Sequence, residues 1–457
     1  MNRIHLAGIS QDPKFISRLQ TIASEFEFNA MFFKTSDEFN ENIDQTSQVA
    51  VTIFSVVEVE NASEIAGHVQ VLKYSAPDSY ITLIVNKKIS ADNIAFIKKS
   101  GVDLILQEFD FFETSFVEYA LSQIIRGSII PMKAHDLTAN SVIDFKVLSM
   151  MPLNKKILPV LQPNSVVTEQ KLQKIKGTKE VYVSRDDLQK VQNYCDKNKV
   201  LSAEGISSRC RLKYLDLCKA HSELIFSLFD RSDRVTFSNG KNLLEKCSQI
   251  ASDMLMNLST LADPWSIINN STIGETGSVE RLPAIASMAG LMTLNLKNVK
   301  TEDTIVAGLL CDLGMLMLHP QILLKIRQNR FNELTETELK QYQSHPQLSI
   351  DKCLEKKLPL TDKIKSIIIC THETQNSTGF PNNPNPSQIS KESQLLQYCE
   401  FIDQKLVIKM GKKNEDVFAI QSEFIEKELE SKKILDISIA VELKKYLSLI
   451  QTIEKAS

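Results

Sequence analysis

The chain has 457 residues, 43% of them hydrophobic and 24% charged, with a formal net charge of −3. That length exceeds what one hydrophobic core usually takes, and that charge makes no case for a nucleic-acid or polybasic membrane surface. The eight cysteines are scattered without a CxxC pair, which reads as reduced thiols in a cytoplasmic compartment rather than a disulfide framework. The opening residues, MNRIHLAGISQDPKF, lack an apolar signal-peptide core. No window reaches the roughly 18 uninterrupted apolar residues of a membrane span. The expectation is a soluble, cytoplasmic protein.

The first 126 residues alternate short apolar strands with amphipathic helices. RIHLAGI (3–9), NAMFFK, QVAVTIFSVV (48–57), SYITLIVN (79–86) and DLILQEF read as strands, and the last helix covers about 113–126. This alternation predicts a parallel sheet with helices on both faces. The order resembles the receiver domain of response regulators. That family carries an acidic pair after strand one, a phosphoacceptor aspartate after strand three, a hydroxyl after strand four and a lysine after strand five. Here Ser10 and Gln11 follow strand one, with Asp12 close by. Ser55, Asn86 and Gln107 stand at the other three positions. The resemblance thus implies a docking domain with no phosphoacceptor and no Mg²⁺ cluster. A generic flavodoxin-like domain without signalling history is the plainer alternative.

Residues 131–205 hold short β-rich pieces (SVIDFKVL, KKILPVL, EVYVS) and short helices, which reads as a small α+β adaptor without catalytic residues. From 206 the chain is helical. The segments RCRLKYLDLCKAHSELIFSLF and NGKNLLEKCSQIASDMLMNLS, within 208–258, carry apolar residues at helical spacing. They either pair as a homodimer stalk or pack on the helices that follow. One long loop, TQNSTGFPNNPNPSQIS (374–390), interrupts the helical half. Loops beyond about 12–15 residues in compact domains are usually functional or disordered.

Four polar features stand out against this apolar background. Asp312 lies in LLCDLGML (309–316), which reads as a buried helix. Leaving a carboxylate buried and unpaired costs about 3–5 kcal/mol, so Asp312 needs a partner. His345 precedes Pro346 in SHPQLS. His372 and Glu373 close the apolar segment KSIIICTHE. Glu400 and Asp403 lie one helical turn apart in YCEFIDQKL. Carboxylates and histidines from several helices build metal sites in bundle cores. A plain α-bundle with satisfied core histidines is the alternative.

These residues, in this order, resemble the HD-GYP family, a branch of the HD metal-dependent phosphohydrolases that hydrolyses cyclic di-GMP. CDLGM (311–315) stands at the family's HDxGK, SHPQLS at its His-Pro motif, THETQNSTGFP (371–381) at HHExxDGxGYP, and YCEFIDQKL at its aspartate helix. The resemblance covers about 270–410. It implies a multidomain protein: a doubly wound α/β receiver-like domain (1–128), a small α+β middle domain (131–205), and an all-α HD-type bundle (206–457) led by the helices at 208–258.

The departures bear on the chemistry. Ser278, Cys311 and Thr371 stand where the family has histidines. Met315 replaces the lysine, Asn376 and Ser377 replace the loop's Asp and Gly, Phe380 replaces the tyrosine, and Glu400 replaces an aspartate. The family reaction uses ions roughly 3.5–4 Å apart to clamp a phosphate. With three imidazoles missing, the resemblance implies at most one divalent ion (Fe, Mn or Zn), held by Asp312, His345, His372 and Glu400 with Cys311 as a further donor. Glu373, Gly379, Phe380, Pro381 and Lys409 are the candidate ligand-binding residues, although the family's basic stretch here is reduced to Lys409, Lys412 and Lys413. The leading reading is a regulatory protein, catalytically inactive or weak, that binds cyclic di-GMP or another signalling protein. The alternative is an active metal-dependent phosphodiesterase working through Asp312 and a reduced metal site. A pure scaffold is the third reading.

Overall fold

A computed structural model describes the chain apart from residues 1–2, 44–47, 57–60, 86–88, 126, 151–156, 178–180, 199–202, 235–236, 262–263, 270–277, 295, 409–416 and 457. The N-terminal layer runs β1 (Arg3–Ile9), α1 (Pro13–Glu25), β2 (Ala30–Phe33), α2 (Ser36–Asn42), β3 (Gln48–Val56), α3 (Ala62–Ser75), β4 (Tyr80–Val85), α4 (Ala91–Lys99), β5 (Leu104–Gln107), α5 (Glu108–Phe112) and α6 (Phe116–Ile125). All four strand pairings are parallel, in the order β2-β1-β3-β4-β5, which is a doubly wound order. Alternation along each strand splits the sheet's side chains between two cores. Leu6, Val51 and Ile53 face α1, α6 and the helical half, while Ala7, Ile9 and Phe54 face residues of α2, α3 and α4. Asp12 caps α1, its carboxylate accepting from the Lys14 N–H at 2.9 Å.

The middle segment pairs β6 (Ile129–Met132), β8 (Val147–Met150), β9 (Ile157–Leu161) and β11 (Val181–Ser184) in an antiparallel sheet ordered β6-β11-β8-β9. β7 (Val142–Ile143) and β10 (Ser165–Val166) form a separate ribbon. Helices α7 (Glu169–Lys176) and α8 (Leu188–Asn198) complete it. Its small core includes Leu212 and Leu215 from the next helix. From that helix Arg211 pairs with the fully buried Asp136, and Ser208 donates to the same carboxylate at 2.7 Å.

The helical half follows as α9 (Ala203–Phe229), α10 (Phe237–Leu258), α11 (Pro264–Asn269), α12 (Ser278–Thr293), α13 (Thr301–Leu310), α14 (Pro320–Arg327), α15 (Glu336–Gln343), α16 (His345–Glu355), α17 (Asp362–Ile369), α18 (Lys391–Ile408), α19 (Val417–Ser431) and α20 (Ile437–Ala456). Within the chain the helices in 208–258 pack on the helices that follow. Leu217, Leu224, Met254 and Leu258 lie in the same core as α12 and α13. Among the described residues no helix is long and apolar enough to cross a membrane.

The segment around Asp312 departs from the single helix expected there. α13 stops at Leu310, and a 3₁₀ turn takes over at Leu313–Met317 with Asp312 at φ −103°, ψ 9° between them. The run 305–317 is apolar on all sides, so its periodicity carried no sign of the break.

His221 of α9 is buried and its Nε2–H donates to the Leu309 carbonyl at 2.8 Å. Burial lowers its pKa to about 4, partly opposed by that hydrogen bond. An imidazole with a depressed folded pKa binds fewer protons folded than unfolded. Its neutral form is therefore harmless above the unfolded value and loses stability as pH falls toward 4. Between pH 7 and pH 5 this should cost about 2 kcal/mol. Urea titrations at both pH values should show a shallower pH slope, by that amount, in His221→Gln.

Candidate metal centre

Three side chains from three elements meet in the helical core. Asp312 comes from the break after α13, His345 opens α16, and His372 lies three residues past α17. His345 Nε2 and His372 Nε2 are 2.9 Å apart, and each is 3.3 Å from Asp312 Oδ1. All three are buried, and among the described residues these are the group whose donor atoms converge closely enough for one ion.

The local chain geometry explains the convergence. Ser349 Oγ, one turn into α16, donates to the Cys311 carbonyl at 2.8 Å and accepts the Gly314 N–H at 2.7 Å. This staples the Asp312 turn to the helix that starts with His345. The fit needs a glycine: a Cβ on Gly314 would lie 2.1 Å from the His345 carbonyl oxygen. Gly379 serves similarly, since a Cβ there would meet the His372 carbonyl oxygen at 2.4 Å.

Protonation follows from the outer nitrogens. His345 Nδ1 lies 2.6 Å from the Tyr342 carbonyl, which can only accept, so Nδ1 carries the proton. His372 Nδ1 faces Glu400 Oε2 at 3.5 Å. With its proton on Nδ1, the neutral His345 ring turns a bare Nε2 lone pair toward His372 Nε2 and Asp312, and His372 does the same when its proton sits on Nδ1 toward Glu400. In that tautomer the group holds only acceptors, and a cation or an added proton at its centre satisfies all three atoms. Burial raises the Asp312 carboxyl, but hydrogen bonds and positive charge from the two imidazoles in their protonated forms outweigh it and hold that carboxyl well below its usual range. Burial and the charge of Asp312 push the Glu400 carboxyl up.

Other residues expected at this site take different parts. Glu400 stands outside the close group, on the far nitrogen of His372, where it orients the ring. Cys311 is not a donor to the group: its thiol donates to the Gly308 carbonyl at 3.6 Å, and burial with the neighbouring Asp312 carboxylate raises its pKa steeply. Thr371 likewise turns its hydroxyl to the Ile367 carbonyl. Glu373 is a tie within the long loop, its Oε1 accepting the N–H groups of Asn382 and Asn383 at 2.6 and 3.1 Å. Gly379 packs against backbone. Phe380 stacks on His372 with centroids 4.9 Å apart and covers the group from the loop side, with the half-buried Pro381 beyond it. Ser278 opens α12. Lys409, Lys412 and Lys413 lie outside the described residues.

Sequence reasoning missed Ser349, Tyr342 and Arg281. Arg281 forms a buried bidentate pair with Asp403, its Nε donating to Oδ2 at 2.8 Å and its second nitrogen reaching Oδ1. The retained motif aspartate is thereby committed to α12. A signal existed: Arg281 directly precedes the apolar run LPAIASMAG of α12, where a charge calls for a buried partner. Removing one member of such a pair strands the other charge. Asp403→Leu should cost about 3–5 kcal/mol, and Asp403→Leu with Arg281→Met should recover most of it, as read from urea-denaturation midpoints.

The HD domain family model (HD_5) matches residues 253–402. No curated protein sequence matches the chain. Among solved structures, one similar chain is Bd1817, a HDG"Y"P protein from Bdellovibrio bacteriovorus, with 15% identity and a TM-score of 0.42 over 70% of this chain and 99% of that one. Residues 253–402, the region that holds Asp312, His345 and His372, are thus similar to an HD domain.

Proposed function

We propose that this is a signalling protein whose HD domain holds a single divalent cation at Asp312, His345 and His372, and that it transmits a signal without efficient phosphodiester hydrolysis. The observation that carries the reading is the convergence of three buried ligand atoms, with the two Nε2 atoms 2.9 Å apart and both 3.3 Å from Asp312 Oδ1. Two imidazoles and one carboxylate suit Fe(II), Mn(II) or Zn(II) and leave coordination positions open. Such an ion supplies a Lewis acid to an oxygen that reaches it.

Four features argue against a second ion and hydrolysis. The Cys311 thiol and the Thr371 hydroxyl are bonded to helix carbonyls, Asp403 is held by Arg281, and Met315 places an apolar side chain where the family has a cation. The signal would be cyclic di-GMP or a partner protein. The open coordination positions favour one rival, a phosphodiesterase acting on cyclic di-GMP through the single ion.

In this reading 1–128 is a receiver-like docking domain that takes no phosphoryl group. Ser55 supports it by spending its hydroxyl on Ser10 at 2.6 Å, and Gln107 caps α5. Asn86 lies outside the described residues. Residues 131–205 are an adaptor between it and the helical part at 206–457. The protein would work in the cytoplasm, a reducing compartment that suits scattered cysteines without a CxxC pair.

The test is metal content by plasma mass spectrometry on protein purified with and without air. Close to one equivalent of iron, manganese or zinc, lost in Asp312→Ala/His345→Ala, is expected. Metal-free protein from both preparations contradicts the proposal. Turnover of cyclic di-GMP that rises with metal occupancy favours the phosphodiesterase instead.

A further inference from the structure

The Asp312 turn is held from two sides, and one side belongs to the N-terminal layer. Ser115, in the link between α5 and α6, is buried at 1% exposure. Its backbone N–H donates to the Leu316 carbonyl at 3.0 Å and its hydroxyl to the Leu318 carbonyl at 2.9 Å. Leu316 lies in the 3₁₀ turn that begins right after Asp312, and Leu318 closes that turn. From the opposite side, Ser349 grips the same turn at Gly314.

A second tie joins the N-terminal layer to the helix that carries His345. Asp230, at the end of α9, accepts the Ile105 N–H of β5 at 3.2 Å and Lys98 Nζ of α4 at 2.5 Å. Its own carbonyl accepts Lys356 Nζ, just beyond α16, at 2.7 Å. Phe116 stacks on Phe229 with centroids 4.1 Å apart, and Lys352 of α16 lies 4.4 Å from the centre of the Phe229 ring. The N-terminal layer thus reaches the elements of two of the three converging residues.

We infer that Ser115 is a positioning residue for Asp312, and that docking of the N-terminal layer sets the cation affinity of the HD site. The consequence for affinity rests on the proposed metal site; the clamp itself does not. Coupling of this kind is reciprocal, so whatever displaces the α5–α6 link weakens the site, and cation binding stiffens the link in return.

Hydrogen exchange on the full chain, without added metal, tests the clamp. In Ser115→Ala, amides over 311–318 should exchange about tenfold faster, with α18 and α19 unchanged. Mn²⁺ affinity should fall about fivefold, and Ser115→Thr, which keeps the hydroxyl, should restore both. Unchanged exchange over 311–318, or an equal rise throughout the helical half, overturns the inference. If Ser115→Ala does not fold, Lys98→Met decides in its place: faster exchange confined to 345–357 supports the clamp and no change overturns it. Wild-type protein that takes up no Mn²⁺ or other ion refutes the metal site, while the exchange result still judges the clamp.

Discussion

Three ligand-type atoms converging in a buried core are the constraint on which the helical half depends. Asp312, His345 and His372 are each brought inward by a different element, and none of the three atoms is a donor when the outer nitrogens hold the protons. Burying such a group is favourable only with a positive charge at its centre. The surrounding structure is organised to keep it together: Ser349 staples the Asp312 turn to α16, Gly314 and Gly379 permit close backbone approach, and Phe380 shields the imidazoles. The proposed single ion follows from this arrangement more directly than from motif order.

The replacements around the site are chemically coherent. Where a binuclear centre needs further imidazoles and a cation for phosphate, this chain has Cys311, Thr371 and Met315, each buried. The thiol and the hydroxyl are satisfied by carbonyls of their own helical segments, and the thioether needs no partner. No uncompensated charge is left where the ligands are missing. Arg281 and Asp403 neutralise each other across α12 and α18, so the bundle keeps its shape without a metal at that position.

Much of the architecture was legible in the sequence because it rests on periodicity. The strands of the N-terminal layer alternate cleanly with helices, and a parallel sheet with both faces covered is what such a pattern packs into. Asp312, His345 and His372 were legible because each is a polar residue in an apolar setting. What stayed hidden depends on local geometry or on distant pairing. The break at Asp312 lies in a run that is apolar all round. Glu373 looked like a ligand until the loop's own amides claimed it. Cys311 and Glu400 stand at ligand positions in the motif, yet a thiol turned back to Gly308 and a carboxylate on the outer nitrogen of His372 cannot be read from spacing. Ser115 gave no signal at all, since its partners are carbonyls about two hundred residues away.

X-ray absorption at the iron, manganese and zinc edges of the purified protein addresses the central claim most directly. The account predicts one ion per chain, with two nitrogens and a carboxylate oxygen in its first shell at about 2.0–2.2 Å, as such ligands adopt on zinc. A second metal scatterer at roughly 3.5–4 Å, the spacing of a two-metal clamp, would contradict the single-ion reading. A shell containing sulfur would contradict the placement of Cys311.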